Sequence, residues 1–460
     1  MKDKALYQRA LWLAVPMMIQ NGITNAVTLV DNVMVGSLGV EAFTGVSIVG
    51  QLLFVFSLAI FGALSGPGIY GAQFYGKHSK DGFQASFHMK LCISSVCLVL
   101  GLLAFVLLRD QLIGLYLNGE SDQIDKAATL SYAKQYLSIM LFGLPPFVVT
   151  QIYAGSLRET GNSVKPMIAG IGSVLTDILF NYLLIYGKFG FPEMGVRGAA
   201  VATVLSRFVE LGIVIIWTHT KMDDHPFLED VYRTLKVPKT LAGQMLRKSL
   251  PIFFNEFLWA GGLAALTQTY SSRGLMVVAG LNISNAICNL LNVVFVALGN
   301  AVGILVGQML GAGETKRVKK DAFRLMRFTG LVTIAMTVVL LAISRVFPML
   351  YDATDEVRNY ATWFIIITAL FFPVQAYLNA LYFTLRSGGK TLVTFLFDSV
   401  YSWTIIVPLA KILCTFTSLP ILGVFAIVQA ADIIKVTIGY ILIQKGVWIS
   451  NLAAEVQIEE

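Results

Sequence analysis

Apolar residues run through this chain in long blocks rather than in the alternating or striped patterns of a soluble protein. The stretch from Leu91 to Leu108 carries no polar stripe at helical spacing, which argues against a large water-soluble helical core. About twelve such blocks recur, each of roughly 20 residues, the length a helix needs to cross a bilayer. They predict spanning helices near 10–34, 45–70, 86–108, 131–155, 165–186, 198–218, 246–270, 277–305, 323–347, 360–384, 391–413 and 421–444. Gly and Pro inside several blocks are compatible with this, because membrane helices tolerate both.

The blocks form two matching sets. Gly71-Ala72-Gln73-Phe74-Tyr75-Gly76 returns as Val306-Gly307-Gln308-Met309-Leu310-Gly311, a shift of 235 that also lays Pro16 on Pro251, Ile48 on Ile283 and Tyr116 on Tyr351. Pro145 and Leu157-Arg158 return as Pro373 and Leu385-Arg386 at a shift of 228, and a longer loop between Tyr116 and Tyr132 absorbs the difference. Two similar hydrophobic halves are a signature of secondary transporters, in which the substrate path lies between the repeats. The expected fold is an all-α integral membrane protein with twelve transmembrane helices in two six-helix lobes related by pseudo-two-fold symmetry. The lobes are expected at residues 1–230 and 231–460, with the polar loop at about 219–245 as the linker.

Composition agrees: 56% of residues are hydrophobic, 13% are charged, and the mean hydropathy is +0.72. The net charge of +7 does not point to nucleic acid, because its basic residues crowd the loops after even-numbered helices. Examples are Lys77 and Lys80, Arg233 with Lys236 and Lys239, and Lys316 through Arg327. Odd-numbered loops are sparse in basic residues or lean acidic, as with Glu120, Asp122 and Asp125. By the positive-inside rule both termini and the even loops are expected in the cytoplasm of an inner-membrane, multi-pass protein. The first helix is too long for a signal peptide and carries polar residues.

Enzymatic chemistry finds no support. Cys92, Cys97, Cys288 and Cys414 lie in or beside apolar stretches, which suggests neither a disulfide framework nor a zinc site. The histidines show no metal spacing, and His78, His219 and His225 are expected in solvated loops. The paired Gly/Gln segments lack the lysine and preceding strand of a phosphate loop, so close helix packing and a capping glutamine explain them.

Carboxylates in mid-helix cost on the order of 2.5–3.5 kcal/mol to insert, so each needs a reason. Asp31, Asp177, Glu256 and Asp398 stand out. Asp31 has Leu266 as its repeat counterpart, so the scaffold does not require it; the structural alternative is an Asp near the helix end that hydrogen-bonds to a neighbour. Asp177 and Asn181 are four apart and share a helix face, offering several oxygens and one charge to a hard monovalent cation; Thr203 could add a hydroxyl. A packing hydrogen bond between small-residue faces is the structural alternative there. For Glu256 the alternative is snorkelling to an interface, and for Asp398 a pairing or interfacial role.

These segments resemble the multidrug and toxic compound extrusion family over essentially all twelve helices. The resemblance rests on Pro16-Met17, Val30-Asp31-Asn32-Val33-Met34-Val35-Gly36, the paired Gly/Gln segments, Leu157-Arg158-Glu159-Thr160-Gly161-Asn162, Leu183 to Gly187 and Gly198 to Thr203. It implies cation-coupled antiport of drugs and other organic cations through two six-helix lobes by alternating access, with Na+ or H+ as the coupling ion and no other cofactor. It implies an ion site at Asp31, Asp177, Asn181 and Thr203, although the family's order on the fifth helix is Asn before Asp, the reverse of the order here. Glu256 matches a seventh-helix acid of the NorM-like branch, in a secondary ion or gating role. Gln375 stands where that branch has a tenth-helix Asp, which moves the expected ion site to the amino lobe. The chain is expected to work as a monomer in the lipid bilayer. A flippase for lipid-linked precursors, from the same broad superfamily, is the alternative; it would need a basic cavity and commonly has extra helices.

Overall fold

The computed structural model describes residues 2–117, 125–220, 228–229, 231–233 and 237–455. Among them are twelve helices long and apolar enough to span a bilayer. These are α1 Lys4–Gly36, α2 Val40–Gly76, α3 Lys80–Leu107, α4 Lys126–Glu159, α5 Val164–Tyr186, α6 Val196–Thr220, α7 Lys239–Ser271, α8 Leu275–Gly311, α9 Thr315–Ile343, α10 Asp355–Ser387, α11 Thr391–Phe416 and α12 Ile421–Lys445. Most run past their apolar blocks, because polar residues at the membrane surface continue the helix. At its C-terminal end α9 stops short of its block, at Ile343; Phe347–Leu350 beyond it is a separate 3-10 turn containing Pro348. Glu120, Asp122, His225 and Lys236 lie outside the described residues.

The internal repeat appears in the helix lengths. The second helix of each half has 37 residues and the sixth 25. The described chain forms two compact units. The amino unit comprises Ile19–Gly71 and Lys80–Gly243, and the carboxy unit comprises Met1–Met18, Ala72–Ser79 and Gln244–Glu460.

Within the amino unit, α2 crosses α4 at Gly45. A Cβ there would stand 2.9 Å from the Thr129 carbonyl oxygen and 3.0 Å from the Ala133 nitrogen. Within the carboxy unit, α8 crosses α10 at Gly280, where a Cβ would stand 3.2 Å from the Val357 carbonyl oxygen and 3.1 Å from the Ala361 nitrogen. These are the same positions at the two repeat shifts read from the sequence, so each unit solves the same packing problem with the same glycine. The small residues Gly198, Ala199, Ala200 and Ala202 are buried on α6, which has its main packing partner in α5, as their sequence pattern suggested.

Two features of the units were not read from the sequence. Lys90 of α3 pairs with Glu159 of α4 at 2.6 Å, nearly out of contact with solvent, and also donates to Ser156 Oγ at 2.9 Å. Second, α11 is not a regular helix: Leu396–Val400 and Ser402–Ile406 are wound as π-helix.

The paired Gly/Gln segments meet inside the carboxy unit. A Cβ on Gly76 would overlap the carbonyl oxygen of Gln308, and a Cβ on Gly311 would overlap that of Gln73. Close packing is therefore their role. Gln73 also caps, although not its own helix: Oε1 accepts from Leu452 N at 2.7 Å, and Nε2 donates to the Ser387 carbonyl at 2.9 Å. The histidine expectation needs one correction. His219 lies in the last turn of α6, half-buried, accepting or donating at 2.9 Å with the Tyr153 hydroxyl and stacked on Tyr232.

Candidate functional site

Two polar clusters occupy the apolar zone, one in each unit. The amino cluster is built where α1 and α5 approach each other. Asp177 and Asn181 share one face of α5, both buried, because four residues make slightly more than one helical turn. The Asn181 side-chain amide donates to Asp177 Oδ2 at 3.2 Å and to Asp31 Oδ1 of α1 at 2.8 Å. One neutral NH2 group thus links two carboxyl groups from different helices. Asp177 Oδ1 and Asn181 Oδ1 are buried and accept no hydrogen bond. Neither Asp31 nor Asp177 forms an ion pair among the described residues.

Thr203 and Ser206 of α6 stand beside Asp177, with Arg207 at longer range. The Thr203 hydroxyl donates to its own helix at the Ala199 carbonyl, 3.1 Å away. Arg207 is committed elsewhere, donating to the Gly143 carbonyl at 3.1 Å and lying over the Phe147 ring. Tyr136 of α4, buried, adds a hydroxyl close to Thr203 and both acids. The four residues picked from the sequence, Asp31, Asp177, Asn181 and Thr203, therefore come together. Tyr136 and Ser206 were missed, since a lone tyrosine or serine in an apolar helix gives no signal before the helices are packed.

The arrangement favours a small cation. Two ionised carboxylates that share one amide donor would repel each other by roughly 4 kcal/mol in an effective dielectric of about 20. A metal ion or a proton bound between them would remove that repulsion, and the two bare oxygens could serve as ligands. Buried polar atoms without partners are uncommon in native proteins and are explained well by an ion or water that they normally hold.

The carboxy cluster has a different composition. Glu256 of α7 stands beside Asn255, with Arg386 of α10 and Asp398 of α11 near it. Asp398 accepts from Lys435 Nζ of α12 at 2.6 Å and from Asn255 Nδ2 at 3.1 Å. Gln375 Nε2 of α10 donates to Asp432 Oδ2 at 2.5 Å. Asp398 thus has the pairing role foreseen as one of its alternatives. Asp432 and Lys435 were overlooked, although two charges three residues apart within an otherwise apolar block were visible as a signal.

Two repeated helical halves spanning a membrane, with acids buried in mid-span, define a membrane transporter rather than an enzyme. The MatE family model matches residues 16–183 and 251–412, one segment in each half. The chain belongs to the MatE family and is a bacterial transporter of the NorM-like type. It is 26% identical over 441 residues to the protein named "Probable multidrug resistance protein NorM" of Thermotoga maritima, covering 95% of this chain and 92% of that one. It is also 26% identical over 442 residues to "Probable multidrug resistance protein YoeA" of Bacillus subtilis, covering 95% and 94%. Its fold matches the Vibrio cholerae MATE transporter VcmN in the bent form, with a TM-score of 0.82 and 17% identity over 98% of this chain and 99% of that one. It also matches an outward-facing multidrug resistance MATE family transporter, with a TM-score of 0.84 and 18% identity over 96% of each chain.

Proposed function

We propose that this protein is a cation-coupled antiporter that exports amphipathic organic cations from the cytoplasm by alternating access. The observation that carries the reading is the junction of Asp31 and Asp177 on the one Asn181 amide, with two buried oxygens left bare. In this reading Asp31 and Asp177 supply the charge, while Asn181 and Thr203 supply neutral oxygens. Substrate loads from the cytoplasm while the pair is charged. An ion arriving from outside then cancels one of the pair's two charges and weakens the electrostatic hold on a cationic substrate. Inward ion movement supplies about 2.3 kcal/mol per charge per 100 mV. Sodium is favoured over a proton, since amide and hydroxyl oxygens beside a carboxylate suit a metal ion. Glu256 acts secondarily, in gating or in a weaker second site.

The names of the Thermotoga maritima and Bacillus subtilis relatives support the drug class in this reading. The loop charge asymmetry supports an inner-membrane protein with both termini and the inter-half loop in the cytoplasm. We assign it to function as a monomer of two lobes, residues 1–230 and 231–460. The deciding experiment places the purified full chain in liposomes loaded with a fluorescent organic cation and imposes a sodium or a pH gradient. Efflux that follows one gradient is expected. Efflux indifferent to both gradients would overturn coupled antiport, and movement of a lipid-linked substrate instead would transfer the chain to the flippase reading.

A further inference from the structure

The sixth helix of each half carries a charged pair at equivalent positions with the signs exchanged. The 25-residue helices α6 and α12 align end to end, so that Arg207 falls on Asp432 and Glu210 falls on Lys435. In the amino unit the negative member, Glu210, is flanked by Arg158 and Arg207. In the carboxy unit the same position is the cation Lys435, which is buried and bonded to Asp398 at 2.6 Å.

The surroundings fix that ammonium in place. Its Nζ lies over the rings of Phe397 and Tyr401, 5.5 and 5.9 Å from the ring centres. Asp432 sits one turn earlier on its own helix and adds attraction. The far oxygen of Asp398 is held by Asn255 Nδ2 at 3.1 Å, and Asn255 is held in turn by Ser399 Oγ at 2.7 Å. Asp398 and Ser399 both lie in the first π-wound segment of α11. A π-turn widens the helix and re-aims its side chains, and such turns collect at functional positions. From α7 and α10, the other charged groups around the pair are Glu256 and Arg386.

We infer that Lys435 is a resident counter-ion: its tethered ammonium occupies the place at Asp398 that a free monovalent cation would otherwise take. This deepens the coupled-transport reading, because it makes Lys435 the residue that keeps exchangeable ions away from Asp398. The amino pair, Asp31 and Asp177, is bridged by the neutral Asn181 amide, has no ion-paired cation among the described residues and remains open to an ion. Lys435 thus determines whether Asp398 in the carboxy lobe is free to take an ion.

The test counts bound sodium on the purified full chain at alkaline pH, with radiolabelled sodium in a scintillation proximity assay. Lys435→Met is expected to bind about one sodium ion more per molecule than wild type, since a mid-membrane carboxylate without a counter-charge is costly. Lys435→Arg, which keeps the cation, is expected to match wild type, and adding Asp398→Asn to Lys435→Met is expected to abolish the increment. A folded Lys435→Met protein with the wild-type count would overturn the inference. Should Lys435→Met not fold, Asp398→Asn alone decides: an unchanged count supports the inference, and loss of a bound sodium overturns it. The count is relative to wild type, so it stands or falls separately from gradient-driven efflux, which is what tests the antiport reading.

Discussion

Asn181 reaches across from α5 to donate 2.8 Å to Asp31 on α1, a residue 150 positions earlier, with the same amide that holds Asp177. The contact makes the charge state of α1 dependent on α5. Asp31→Asn removes that charge while preserving size and a hydrogen-bonding oxygen. Ion-driven export is expected to fall by about tenfold or more, with a monodisperse, normally expressed protein. Proteoliposome efflux beside size-exclusion chromatography checks this, and full transport by the variant would remove Asp31 from the coupling site.

The two lobes are expected to differ in what their acids do. Asp177→Ala should weaken sodium- or proton-dependent transport at least as much as Glu256→Ala, since Glu256 has Arg386 near it while Asp177 has bare oxygen to offer. Transport measured against sodium at fixed pH, then against pH at fixed sodium, separates the two. Loss of ion dependence in Glu256→Ala alone would shift the site to the carboxy lobe.

Topology is open to labelling. In a background with Cys92, Cys97, Cys288 and Cys414 replaced by alanine, Ser37→Cys should react with an impermeant thiol reagent in intact cells, and Glu314→Cys should be protected until the cells are opened. Both positions are exposed and lie in short connections between spanning helices. The opposite pattern would invert the protein in the membrane and reverse the direction of transport.

Gly76→Ala and Gly311→Ala should each destabilise the fold by about 1–3 kcal/mol, because the added methyl group meets a backbone carbonyl that cannot swing aside. Gly50→Ala is the control, with nothing within 4 Å of the new atom. Thermal unfolding in detergent should show lower midpoints for the first two and none for the third.

Lys90→Met takes the ammonium away from the buried Glu159 carboxylate and should cost about 3–5 kcal/mol, most of it recovered in the double variant with Glu159→Gln. The double variant should also transport, since the pair ties α3 to α4 and touches neither polar cluster. Transport lost in a stable double variant would give the pair a working role.

The spans and the repeat were legible because hydrocarbon length and duplicated spacing are properties of the sequence itself. Asp31 and the α5 pair were legible for a similar reason, as a charge in an apolar block is conspicuous and its helical face follows from counting. Lys90 with Glu159, and Asp398 with Lys435, were not legible as pairs. Their members lie far apart in the chain, and only the packing of one helix on another gives each charge its partner. The π-wound part of α11 was hidden for a different reason: its residues are ordinary helix formers, and the widening comes from tertiary contacts such as Ser399 to Asn255 and the Trp403 indole to the Leu258 carbonyl at 2.8 Å.

Gly76 rests on the backbone at Gln308, and Gly311 rests on the backbone at Gln73. In this arrangement each partner gives what it receives, which is the defining property of an isologous association. A single six-helix polypeptide carrying one such segment would contain both halves of the contact and could pair with a second copy of itself through it. The seam therefore records how a fused chain of this kind can descend from a symmetric dimer, with no new surface needed at the moment of fusion. Once the halves were joined they were free to diverge elsewhere, while neither glycine could acquire a side chain without unseating the other chain segment's backbone.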